Sequence, residues 1–277
     1  MKIFIIVPVY NEGRVFQEWL PTLLKVAEEL GARVVVVDDG SEQSIDDGRW
    51  SMDDGPLAIV KLRHEVNCGS SSLHLRTSQF QLRRTDNVVV LRHQVNCGAG
   101  AAIATGMEYA KQQGADMVVT IDGDGQHDPR DLIRLVEVLM RGEVGGGQGN
   151  EEVEKRGNSS VDIVNGSRFL KKQWVPWSRR VANFLANVIT FALSGFWVSD
   201  SQSGMKGFHK KALEEIKVQT AGYEWCTDIF REANWYALRL QEVPISVLYN
   251  KHSLSKGQNL AVGIDMVMRL VVRSLWK

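Results

Sequence analysis

The densest set of coordinating side chains lies in residues 118–129, VVTIDGDGQHDP, where an apolar run ends on Asp122 and Asp124 and the amide of Gln126 follows two positions later. Alternate residues of an extended chain point the same way, so this spacing brings two carboxylates and one amide near a common point. Such hard oxygen donors suit Mg²⁺, which takes one or two protein carboxylates and completes its shell with water and substrate phosphate oxygens. The bland alternative is an Asp-Gly turn with solvated carboxylates. A position at the end of a buried strand favours the metal.

A second concentration is basic and aromatic. Residues 166–180, GSRFLKKQWVPWSRR, hold five basic residues and no acidic one, interleaved with Phe169, Trp174 and Trp177. Residues 181–199 are uncharged, but Asn183, Asn187, Thr190 and Ser194 recur at spacings of four, three and four and mark one side of an amphipathic helix. At 258–277, Asp265, Arg269, Arg273 and Lys277 recur every four residues in an otherwise apolar segment. Cationic amphipathic helices edged with Trp lie in bilayer interfaces, and 258–277 is read as a membrane-surface helix. The alternative for both segments is packing on the core.

These residues need a scaffold that brings strand ends together. Apolar runs at 3–9, 33–37, 88–91, 117–121 and 161–164 read as strands buried on both faces, and 15–30 and 100–113 read as helices between them. The alternation predicts an α/β fold, a mostly parallel sheet flanked by helices, with ligands bound beyond the carboxyl ends of the strands. Residues 59–72, IVKLRHEVNCGSSS, repeat as 88–101, VVVLRHQVNCGAGA. The second copy leads into a helix and is assigned to the core; 45–87 is treated as an insertion, the alternative being that the copies compete for one sheet position. Gly- and charge-rich 142–160 reads as a second insertion, a flexible surface loop.

With 277 residues, 33 basic and 33 acidic side chains and 44% hydrophobic residues, the chain is a globular protein; disorder and binding to nucleic acid through overall basicity are excluded. Three widely spaced cysteines, Cys68, Cys97 and Cys226, suggest reduced thiols and no zinc site. The N-terminal MKIFIIVPVYNE reads as a first strand rather than a signal peptide.

PVYNE at 8–12, VVDDGS at 36–41, NCGAGAA at 96–102, DGDGQHDP at 122–129, GSRF at 166–169 and DSQSGMKGF at 200–208 occur in the order seen in family-2 glycosyltransferases of the GT-A fold, and the chain resembles the polyprenyl-phosphate sugar transferases among them. The resemblance covers most of 1–257. It implies a nucleotide-diphosphate sugar donor lined by Pro8, Tyr10, Glu12 and Asp39, with Asp122, Asp124 and Gln126 around Mg²⁺ or Mn²⁺. Asp39 has a second reading as a turn carboxylate capping a helix, and Tyr10 one as a packing residue.

The resemblance also implies an acceptor phosphate held by Arg168 and Arg179, with Asn183 where a Ser is more usual. Guanidinium forks match phosphate bidentately; an exposed basic loop is the alternative. Asp124 and Asp228 are the catalytic candidates, Asp228 as general base if the acceptor is a hydroxyl. Ala99 stands where many relatives place a Lys. The implied activity is inverting, metal-dependent transfer of a sugar to a polyprenyl phosphate by a peripheral protein at the cytoplasmic membrane face, or by one held there by a separate membrane-anchoring subunit. Two rivals are a family-2 transferase acting on a saccharide hydroxyl in surface polysaccharide synthesis and a catalytically silent nucleotide-binding scaffold.

Overall fold

The computed structural model describes residues 1–42, 51–52, 55–56, 60–63, 88–141 and 161–248. In chain order the elements are β1 (Ile3–Val9), α1 (Gly13–Glu29), β2 (Arg33–Asp38), β3 (Ser51–Met52), β4 (Gly55–Pro56), β5 (Val60–Arg63), β6 (Val88–Arg92), α2 (Ala99–Gln112), β7 (Met117–Thr120), α3 (Asp131–Arg141), β8 (Ile163–Ser167), α4 (Trp177–Ser194), β9 (Lys206–His209), α5 (Lys210–Glu215), α6 (Trp225–Trp235) and β10 (Leu240–Pro244). The segments 142–160 and 258–277, read as a loop and an amphipathic helix, lie outside the described residues.

Eight strands form one sheet in the order β10-β8-β9-β7-β1-β2-β6-β5, while β3 and β4 pair as a short hairpin. Every neighbour pair in the large sheet is parallel except those of β9, which runs antiparallel between β7 and β8. Side chains of successive strand residues point to opposite faces, so β1 feeds two apolar layers. Ile3, Ile5 and Val7 join Phe16, Leu20, Leu23 and Leu135 on the side of α1 and α3. Phe4 and Ile6 join Ile103, Met107, Phe208 and Ile229 on the side of α2, α5 and α6. The chain leaves β1 toward β2 on one side and returns through β7 on the other, which opens a crevice at the carboxyl ends of β1 and β7.

Two features depart from the pattern of apolar runs. Residues 60–63 of the first repeat take a place in the sheet beside their own copy: Val60 pairs with Val89, Leu62 with Leu91 and Arg63 with Arg92. The second copy keeps the inner position next to β2, and the first extends the edge, so the copies do not compete. Identical alternation makes this register the matching one. β8 also continues to Ser167, beyond the apolar run, because buried Asn165 is satisfied by Lys206 Nζ at 2.6 Å and by the Asp200 carbonyl at 2.9 Å.

α4 spans 177–194 and ends at Gly195, whose φ of 72° lies in the left-handed region that favours glycine. Its polar side faces inward. Asn183, Asn187, Thr190 and Ser194 are buried, whereas Trp177, Val181, Phe184, Leu185, Val188 and Phe191 are exposed. No helix among the described residues is long and apolar enough to cross a membrane.

Of the cysteines read as reduced thiols, Cys97 is disulfide-bonded and Cys226 is free and buried. Burial pushes the Cys226 thiol up to about 12, with nearby Lys206 opposing the shift. At pH 8 roughly one molecule in ten thousand then carries the thiolate. Iodoacetamide at that pH should leave Cys226 unmodified in the native protein and alkylate it in denaturant, read by peptide mass; rapid native labelling would contradict this environment.

Candidate functional site

The site is assembled at the carboxyl ends of β1, β2, β7 and β8. After β7, the 122–126 turn lies against the end of β1, where a Cβ on Gly123 would stand 2.7 Å from Val9 Cγ2 and 3.0 Å from the Pro8 carbonyl. Gly125 adopts a φ of 71°, which reverses the chain and returns Gln126 toward Asp124. The Gln126 amide N–H donates to Asp124 Oδ1 at 3.0 Å, and its side-chain Nε2 donates to Asp124 Oδ2. The Gln126 Oε1 accepts from Arg179 Nη1 at 3.1 Å. Asp124 and Gln126, read together from the sequence, are thus in contact, and Arg179, one of the basic residues read as an acceptor ligand, bonds to Gln126.

Burial in the strand-end recess, followed by the like charge of Asp124, pushes the Asp122 carboxyl up to about 7, against the opposing pull of Arg168 and Lys206. A carboxylate pair so poised favours a proton or a cation between its members. Two carboxylates and an amide are hard donors, and they fit Mg²⁺ or Mn²⁺. A second trio, Asp39, His93 and Cys97, also brings ligand-type atoms within 4.8 Å of one another, and, like Asp124 and Gln126, it is internally hydrogen-bonded. Asp39 accepts from His93 Nδ1 at 2.6 Å, from the Cys97 amide at 2.9 Å and from the Gly98 amide at 2.7 Å. The other His93 nitrogen bonds Thr105 Oγ1 at 2.9 Å, and Cys97 is disulfide-bonded. This trio is a clamp that ties the end of β2 to the 96–98 turn.

At the other rim, Tyr10 is exposed, and Pro8 and Glu12 are half-buried. Asn11 adopts a φ of 53°, donates its amide to Ser41 Oγ at 2.9 Å and accepts the Glu42 amide at 3.0 Å. The PVYNE and DDGS loops are thereby joined. The first amides of α2 are closed: Gly100 and Ala101 donate to the Ala221 carbonyl at 2.8 and 3.2 Å.

Arg168 forms a bidentate fork with buried Asp200, Nε to Oδ2 at 2.6 Å and Nη2 to Oδ1 at 2.7 Å. It also lines a basic cavity of about 320 Å³ with Lys171, Lys172 and Arg180. A second cavity of about 270 Å³, lined by Phe184, Trp197, Asn183 and Asn187, shares Arg180 and Phe169 with the first. Asn183 donates to the Ser199 carbonyl at 3.1 Å and presents little else to solvent. Asp228 is 2% exposed on α6 and stands 2.8 Å from Arg231.

Three residues were not singled out by the sequence reading. Arg180 joins the two cavities. His127 is buried with Nε2 3.8 Å from Asp122 Oδ2, and burial holds its pKa below the ordinary range. Tyr223 is half exposed, and desolvation followed by the charges of Asp122, Asp124 and Glu12 raises its hydroxyl to about 12. The His in QHDP and the Tyr in GYEW are the available signals, but neither type is diagnostic without the fold.

A family model described as "Glycosyl transferase family 2" matches residues 69–217, more than half of the chain. A UDP-N-acetylglucosamine–dolichyl-phosphate N-acetylglucosaminyltransferase of Methanococcus voltae is 29% identical over 99% of this chain and 97% of its own. A polyprenol monophosphomannose synthase of Mycolicibacterium smegmatis is 26% identical over 98% of this chain and 88% of its own. Among solved structures, glucosyl-3-phosphoglycerate synthase from Mycobacterium tuberculosis, in complex with Mn²⁺, UDP and phosphoglyceric acid, superposes with a TM-score of 0.57 at 14% identity, covering 99% of this chain and 78% of that one. The shared fold is GT-A.

Because the Asp122 pKa is raised toward neutrality, the carboxyl takes up a proton as the pH falls through about 7, and a cation must displace that proton. Mn²⁺ binding measured by calorimetry should weaken as the pH is lowered from 8 to 6, by about tenfold per pH unit once below the Asp122 midpoint. Affinity unchanged across that window would contradict Asp122 as a ligand.

Proposed function

The chain belongs to glycosyl transferase family 2, and we propose that it transfers a sugar, with inversion, from a nucleoside-diphosphate sugar to a polyprenyl phosphate at the cytoplasmic face of a membrane. The observation that carries this reading is the pair of joined cavities, one basic and one aromatic and apolar, meeting at Arg180 and Phe169. An acceptor with an anionic head and an isoprenoid tail has that same division. The two relatives named for dolichyl-phosphate and polyprenol-phosphate products support the same acceptor class.

In this reading Pro8, Tyr10 and Glu12 line the nucleotide, and Asp39 acts through the 96–98 turn that it holds. Asp122, Asp124 and Gln126 hold a divalent cation, which when bound supplies Lewis-acid stabilisation of the departing nucleoside diphosphate. Arg168, Arg179 and Arg180 hold the acceptor phosphate; Asn183 contributes to the wall beneath it. A phosphate monoester is already anionic, so its oxygen attacks the anomeric carbon while the bond from that carbon to the diphosphate oxygen breaks, and no general base is required. Asp228, buried and beside Arg231, suits a supporting role better than proton removal from a sugar hydroxyl.

The outward apolar face of α4 supports contact with a bilayer. Trp177, Phe184 and Leu185 are each more than half exposed, and contiguous exposed apolar surface of this kind marks an interaction site. Tryptophans favour the headgroup level, and basic residues near an anionic leaflet contribute about 1 kcal/mol each. Arg179, Arg180, Lys171 and Lys172 precede or open this helix.

Purified protein with a panel of sugar nucleotides, Mg²⁺ or Mn²⁺ and polyprenyl phosphate should yield a lipid-linked sugar; turnover with a saccharide acceptor alone would overturn the assignment. Arg168→Ala should slow lipid-phosphate transfer by roughly ten- to hundredfold, the loss typical of a charged hydrogen-bonding partner, and affect a hydroxyl acceptor less. For membrane contact, Phe184→Glu combined with Leu185→Glu should reduce cosedimentation with phosphatidylglycerol-containing vesicles. Undiminished sedimentation would remove α4 from the membrane surface.

A further inference from the structure

The DSQSGMKGF segment, residues 200–208, is prominent in the sequence, yet only Asp200 and Lys206 among its side chains have entered the description so far. Asp200, Ser201, Ser203, Met205 and Lys206 are all fully buried. A polar stretch sealed from water in this way requires partners, and those partners lie on the two strands that carry the site.

On the β7 side, the Gly204 carbonyl accepts from Thr120 Oγ1 at 2.7 Å, two residues before Asp122. On the β8 side, the Met205 carbonyl accepts from the Gly166 amide at 2.9 Å, two residues before Arg168. Asp200 accepts the Arg168 amide at 3.0 Å as well as the guanidinium fork. Lys206 anchors the far end, with Nζ 4.6 Å from the centre of the Phe230 ring. Gly204 lies directly beneath the Asp122 carboxylate: a Cβ there would fall inside van der Waals contact with both oxygens and the carboxyl carbon. Its φ lies outside the left-handed region, so backbone strain gives no reason for glycine at this position, whereas the overlying carboxylate does.

We infer that the buried 200–206 turn is the positioning device of the transfer site, with Gly204 seating Asp122 and Asp200 holding Arg168, so that a single segment sets the relation between the donor and acceptor ends. This rests on the reading in which Asp122 holds the cation and Arg168 the acceptor phosphate. Gly204 and Asp200 are positioning residues: each acts through the side chain that it holds.

The test combines two ligands with a thermal cycle. Mn²⁺ alone and citronellyl phosphate, a soluble short polyprenyl phosphate, are titrated into wild type, Gly204→Ala and Asp200→Asn. Gly204→Ala should weaken Mn²⁺ at least tenfold and change citronellyl phosphate affinity less than threefold; Asp200→Asn should do the reverse. Equal losses of both ligands in both variants would indicate general loosening and overturn the inference. In metal-free buffer, Gly204→Ala should lower Tm in wild type and have little effect in an Asp122→Ala background, because the clash is with that carboxylate. Equal Tm losses in the two backgrounds would overturn the seat even if the variants fold poorly. Wild type that binds neither ligand would instead overturn the underlying reading, and with it this assignment of roles.

Discussion

Asp122 and Asp124 stand two residues apart where a sealed strand emerges from the core, and their mutual repulsion conditions much of what surrounds them. Burial and like charge both oppose ionisation of Asp122, so the recess is receptive to positive charge. Arg168 and Lys206 supply part of it from behind, and Gln126 ties Asp124 to Arg179 on the open side. The acceptor-side cations therefore also belong to the electrostatics of the donor side.

The parallel sheet was legible because its inner strands carry Val and Ile on both faces, and no other simple arrangement buries such runs twice over. The strand-end carboxylates were legible for the same reason: a run that must be central delivers whatever follows it into the crevice. Other features obeyed constraints that pattern alone does not express. The apolar run stops at Val164, and β8 continues through Asn165 because Lys206 and the Asp200 carbonyl satisfy its side chain. Arg179 and Arg180 are adjacent in sequence, yet the helix turns one toward Gln126 and the other toward the paired cavities, a distinction of about 100° per residue that composition does not carry. His127 and Tyr223 required the distant segments they approach.

α4 shows how an amphipathic pattern can be read correctly in period and still leave its direction open. Asn183, Asn187, Thr190 and Ser194 do form one side, but that side faces the protein. Asn183 and Asn187 donate to the Ser199 carbonyl, and Thr190 bonds Thr227. These contacts satisfy buried polar groups and leave the apolar side to whatever medium lies outside. The helix thus has a polar interior contact and an oily exterior, the reverse of an ordinary surface helix.

The paired repeat at β5 and β6 separates growth from function. The crevice at β1 and β7 lies three neighbours in from the edge strand β5, so a tandem copy of one strand lengthened the sheet without interrupting the strands that deliver the carboxylates. Copying a strand together with its alternation supplies a ready-made partner register, which makes the edge of a parallel sheet a place where a chain can acquire length without redesigning its centre. Among the described strands β5 takes the edge position, leaving β6 bonded on both sides.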